Sequence, residues 1–153
     1  MRIRLGRDAL DRLRVALTRN GSRETGGQMF GEQLAVSDFR ITELTVQARP
    51  GSFARFIVDV LQATRDAMSF FSRTQHAYRR YNYIGEWHSH PSFAIEPSNV
   101  DAATMRKLVR DPQFKGTFAI LMIVRLDGDV VNAHAWLFDP QGAEHAVSLE
   151  IMN

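Results

Sequence analysis

From residue 118 to residue 124 the chain reads Phe-Ala-Ile-Leu-Met-Ile-Val, an apolar run without a break. A strand with one wet face alternates apolar and polar side chains, so this run predicts a central strand covered on both faces. Helices must supply the cover, and three stretches can do so. Residues 8–18 carry Leu10, Leu13 and Leu17 at helical spacing, and Asn20-Gly21 stops the helix. A long helix is expected to reach about Arg80, with Val60, Leu61, Ala67, Met68, Phe71 and Tyr78 in one apolar stripe. Residues 98–110 read as a third helix, closed by Asp111-Pro112. Further strands are expected at 2–5, 28–35, 39–47, 53–58, 83–90, 130–138 and 146–152. Turns are expected at Val36-Ser37-Asp38 and Asp127-Gly128, and a break at Pro50-Gly51. The sum is an α/β fold, a mixed central sheet flanked by helices. No repeat or linker divides the chain, so residues 1–153 are expected to form a single domain.

Composition removes several chemistries. The chain has no cysteine, which excludes disulfides, thiolate-held zinc and a thiol nucleophile. A hydrolase of this composition must use a metal, a hydroxyl or carboxylates. Lys and Arg total 19 against 17 Asp and Glu, with no basic run to follow a phosphate backbone, so nucleic acid is not an expected partner. The N-terminal stretch has no long apolar run, so no membrane association is expected and the location is read as cytoplasmic.

The chemistry concentrates in GEWHSHPSFAIEPSNVD, residues 85–101. Successive strand side chains alternate faces, so His88 and His90 point the same way and Ser89 and Trp87 the other. Two imidazoles on one face can share a metal. Pro91 takes the chain out of the ladder and leaves His90 at a strand end. Asp101, three residues after Ser98 at a helix start, can face that strand end. Two histidines and one aspartate leave a fourth position open for water, the catalytic rather than the structural arrangement of zinc. Each part has a plainer reading. His-x-His pairs occur on surface strands without metal, and Ser98 with Asp101 is also a helix cap.

A hydrolytic site also needs a base. Glu86 shares the face of the histidines. Glu24 precedes Gly26-Gly27, which permit close backbone approach. Spacing does not decide between these carboxylates. His76, His134 and His145 are expected to be structural or at the surface, and Trp87 is expected in the core.

Taken together, these residues resemble the JAMM motif of the MPN+ zinc metallopeptidases: Glu24, then His88-Ser89-His90-Pro91, then Ser98-Asn99-Val100-Asp101. The resemblance runs from about Arg7 to Phe138 and is greatest to the compact Prok-JAB branch. GEWHSHP after a long helix looks like the deconjugases of antiphage operons of the CBASS type. The resemblance implies a deaminase-like sandwich fold and one zinc per chain on His88, His90 and Asp101. It also implies Glu24 as general acid and base, and Ser98 as hydrogen-bond donor to the developing oxyanion. The implied substrate is a ubiquitin-like modifier or its conjugated target, and the implied partners are the activating and conjugating enzymes of the same operon. A peptidase that processes a sulfur-carrier protein would carry the same residues, and a non-catalytic MPN scaffold is the rival from another class. For the hydrolase, an extended substrate tail is expected to add as a strand along residues 28–34.

Overall fold

The computed structural model describes residues 1–47 and 60–152. In chain order they form β1 (Arg2–Leu5), α1 (Arg7–Asn20), β2 (Gly26–Ala35), β3 (Asp38–Leu44), α2 (Val60–Arg73), β4 (Tyr81–Ser89), α3 (Asn99–Arg110), β5 (Ala119–Asp127), β6 (Val130–Phe138) and β7 (Glu144–Ile151). The strand expected at 53–58 and the break at Pro50-Gly51 lie outside the described residues. The architecture is the expected α/β fold with a mixed sheet. The strands close on themselves in the order β1-β3-β2-β4-β5-β6-β7. The hairpin neighbours β2–β3, β5–β6 and β6–β7 are antiparallel, whereas β4–β5, β1–β3 and β1–β7 are parallel. A parallel pair needs a crossover, and α3 provides it between β4 and β5.

The central run divides by parity. Ile120, Met122 and Val124 enter one buried cluster with Ile3, Leu5 and the α1 residues Leu13 and Leu17. Ala119, Leu121 and Ile123 enter a second cluster with Ala102, Met105 and Val109 of α3. Both faces of β5 are therefore covered, as an unbroken apolar strand requires. Trp87 is fully buried in the first cluster, and its indole N–H donates to the Thr45 carbonyl at 2.8 Å. Replacing Trp87 with Ala should cost about 3–5 kcal/mol of stability, read as a lowered denaturant midpoint in urea.

Several boundaries differ from expectation, and two of them bear on the fold. Helix α2 ends at Arg73 and does not reach Arg80, because Gln75 and His76 adopt left-handed backbone (φ 53° and 55°) and the His76 amide turns back to the Phe71 carbonyl at 2.8 Å. Its buried anchor is Phe70, stacked on Phe30 with centroids 4.7 Å apart, while Met68 is 67% exposed. Of the expected stripe, Phe71 does pack edge-on against Phe30 (centroids 6.2 Å apart), whereas Tyr78 lies beyond the end of the helix. Strand β3 ends at Leu44, yet the amides of Thr45 and Gln47 still donate to the Gln28 and Gly26 carbonyls, so the chain keeps beside β2 to residue 47. Strand β2 is flanked by β3 on one side and β4 on the other. Residues 28–34 therefore offer no open edge, and the strand addition expected there is ruled out.

Candidate metal centre

Crossover geometry builds the site. Strand β4 runs to Ser89, the chain leaves through Pro91, and α3 begins again beside the same strand end before returning toward β5. In α/β sheets this carboxyl end of a strand, where a helix begins, is where groups converge on a ligand. It brings His88, His90 and Asp101 together, all buried, with one ligand atom from each within 4.8 Å of the others. The two Nε2 atoms are 3.0 Å apart. Asp101 Oδ2 lies 3.7 Å from His88 Nε2 and 3.6 Å from His90 Nε2. Tetrahedral bonds of about 2.0–2.1 Å put ligand atoms ~3.3 Å apart, so these separations bracket the geometry of one shared ion.

The residues fit a cation on further grounds. The Nδ1–H of His90 donates to the Ala94 carbonyl at 2.8 Å. A carbonyl only accepts, so Nδ1 carries a proton and Nε2 is the atom turned toward the cluster, as orienting partners of metal-bound histidines ensure. Burial lowers the pKa of His88 to about 4 and keeps that ring neutral. Burial alone would raise Asp101, but the His88 ring and Ser98 outweigh it and hold the carboxyl below its usual range. Its Oδ1 is buried with no hydrogen-bond partner. A buried carboxylate with one unsatisfied oxygen beside the neutral His88 ring is costly without a positive charge close by.

The cap and the metal readings of Asp101 are compatible. Ser98 is the N-cap of α3, the Ser98 amide donates to Asp101 Oδ2 at 2.6 Å, and the Asp101 amide donates to Ser98 Oγ at 3.2 Å. This capping box fixes the carboxylate, and Oδ1 remains available. Ser98 is exposed and its hydroxyl proton is not taken by the box.

Pairing register separates the two glutamates. Gly26 pairs with His88 and Gln28 with Glu86. Just before the ladder, the Ser89 amide donates to the Thr25 carbonyl at 2.8 Å and the Thr25 amide to Ser89 Oγ at 3.0 Å. Continued two residues past the ladder, the same antiparallel register would set Glu24 across from His90, and Glu24 is half-buried. A Cβ on Gly26 would stand 2.5 Å from the Trp87 carbonyl and 3.0 Å from His88 Cβ, so glycine is what lets this stretch lie against His88. Glu86 lies at the closed end. It is buried, it accepts the Tyr83 hydroxyl at 2.6 Å, and burial raises its pKa to about 8 despite that bond. A carboxyl group that is mostly neutral at pH 7 is a poor base.

The contact of Tyr83 with Glu86 has little signal in the sequence. Three residues apart on a regular strand, Tyr83 and Glu86 would face opposite sides. A register shift between Met29 and Phe30 at Gly85 (φ 151°) resets the alternation. The lone signal was a glycine inside a strand pattern, which marks a bulge. The other histidines lie apart from the cluster: His76 in an exposed turn, His134 and His145 exposed on β6 and β7. Among the described residues no helix is long and apolar enough to cross a membrane.

Residues 6–139 match the family model described as prokaryotic homologs of the JAB domain. No curated protein matches the chain. Among solved structures, the chain is similar to a protein of Desulfitobacterium hafniense (TM-score 0.65, 17% identity, 99% of this chain and 93% of that one). It is also similar to a JAB1/MPN domain protein of Archaeoglobus fulgidus (TM-score 0.53, 17% identity, 98% and 97%) and to a protein of Salinibacter ruber (TM-score 0.54, 18% identity, 98% and 92%).

Proposed function

This chain belongs to the Prok-JAB family, the prokaryotic homologs of the JAB domain, and from that membership we propose that it is a zinc-dependent peptidase or isopeptidase. The observation that carries the reading is the buried His88, His90 and Asp101 cluster with its unsatisfied Asp101 oxygen. The nitrogen and oxygen donor set suits zinc, and three protein ligands are the catalytic number. Zinc held there supplies Lewis acidity, which acidifies water to a pKa of about 7 and polarises a carbonyl. Glu24 takes the proton of the attacking water and returns it to the departing amine. Ser98, exposed above Asp101, donates its hydroxyl proton to the developing oxyanion. The Ala94 carbonyl and the capping box hold His90 and Asp101 in place while this happens.

The bond cut, in this reading, follows the C-terminal tail of a ubiquitin-like modifier or joins that tail to a conjugated target. The likeness of GEWHSHP to antiphage-operon deconjugases supports this substrate class, a defence role, and activating and conjugating enzymes as partners. The test is cleavage of ubiquitin-like modifiers from the same genome, each fused to a reporter. Zinc-loaded protein should release the reporter at the modifier's last residue, a chelator should stop it, and added zinc should restore it. Intact fusions, or cleavage that ignores the chelator, would overturn the proposal.

A further inference from the structure

A second concave site lies at the other end of β4, roughly 15 Å from the histidines at ~3.3 Å per residue. It exists because β4 pairs with β5 only from Gly85 onward, facing Ile120. Residues 81–84 thus lack a strand on that side, and the chain after α3 crosses the gap. The result is a cavity of about 610 Å³, within the ~300–1,000 Å³ of small-molecule sites. Aromatic rings dominate its walls. Phe71 packs with Tyr78 (centroids 5.0 Å apart) and Phe39 with Phe118 (5.1 Å), and Tyr83 and Phe114 complete the lining.

The charged lining is one-sided, beside the neutral Gln33, Asn82, Gln113 and Thr117. Arg79, Arg80 and Lys115 contribute, and none of the lining residues is a carboxylate. Arg80 is committed to the buried Glu32, donating from Nε at 2.6 Å, and Arg40 reaches the same carboxylate. Two guanidiniums on one carboxylate leave an excess positive charge. Lys115 Nζ donates to the Pro112 carbonyl at 2.7 Å, a neutral partner that leaves its charge uncompensated. Arg79 is exposed at the rim. An extended peptide added to β4 would need backbone donors here, but the Tyr83 amide is bound to Asn82 Oδ1 at 2.9 Å and the Tyr81 amide to the Ala77 carbonyl at 2.9 Å. The edge favours a compact ligand over a strand.

We propose that this cavity binds a small anion bearing a planar aromatic ring, of the size of a nucleoside monophosphate. The ring lies against the aromatic walls and the anionic group sits between Arg79 and Lys115. This site is independent of the metal centre. The test is calorimetric titration of the intact protein with AMP, GMP, CMP and UMP, and with adenosine, ribose 5-phosphate and inorganic phosphate as the separate halves. At least one nucleotide should bind saturably at one per chain, at least about tenfold more tightly than either half. The exposed double variant Arg79→Ala/Lys115→Ala should keep its melting temperature and lose at least about tenfold in affinity, as loss of charge-assisted bonds implies. His88→Ala protein should bind as the parent does. No saturable binding of any nucleotide, binding unchanged in the double variant, or binding lost in His88→Ala would each overturn the proposal.

Discussion

Glu24→Ala protein is expected to hold a full complement of zinc, melt as the parent does, and cleave a modifier fusion at least about 10²-fold more slowly, since general-base help contributes typically ~10²–10⁴ in rate. The register of β2 on β4, continued past Gly26, would set Glu24 across from His90. It is half-buried and lies outside the set of ligand atoms. A residue that reaches the attacking water without holding the metal can be removed without loss of metal. Glu86→Ala is the control. That carboxyl is buried at the closed end, bonded to Tyr83, with a pKa raised to about 8 by burial. Its removal should cost some stability, because the Tyr83 hydroxyl loses its buried acceptor, and should leave cleavage much faster than in Glu24→Ala. Single-turnover cleavage at matched zinc occupancy measures both. Parent-like cleavage by Glu24→Ala, with a dead Glu86→Ala, would mean that the base had been assigned to the wrong carboxylate.

Asp101→Asn is expected to lose metal and turnover while keeping its fold. The amide is close in shape to the carboxylate, and its oxygen can still accept from the Ser98 amide, so the cap of α3 is largely preserved. The negative charge is gone, and with it the anionic ligand beside the two imidazoles. Changes outside the ligand set typically cost about 10–100-fold in metal affinity, so loss of a direct ligand should exceed about 100-fold. Competition against a fluorescent chelator gives the affinity, and circular dichroism of the metal-free protein gives the fold. Parent-like zinc affinity in Asp101→Asn would leave Asp101 with a capping role alone.

Much of the site was legible because it is local. The histidines share a face by strand alternation, and the crossover that follows β4 brings Asp101 back to the strand end within a single strand-loop-helix unit. The apolar run of β5 announced its two-sided burial, and β6 matched its expected bounds, since both signals are short-range patterns. Glu24 was different. Its place near the histidine face depends on β2 pairing with β4, two strands far apart in sequence, so nothing local to the residues ranks it above Glu86. The same non-local pairing hid the fact that β2 is an interior strand. The end of α2 was obscured by left-handed Gln75 and His76, since neither residue is a glycine and so neither signals a stop. The bulge at Gly85 broke the two-residue alternation and concealed the contact between Tyr83 and Glu86.

The central claim is that one zinc ion sits on His88, His90 and Asp101. Anomalous diffraction at the zinc edge, from crystals of protein purified without added metal, locates such an ion directly. The account predicts a single strong peak per chain, about 2.0–2.2 Å from both histidine Nε2 atoms and from an Asp101 carboxylate oxygen. An active preparation with no peak at that position, or with its zinc held by other residues, would contradict it.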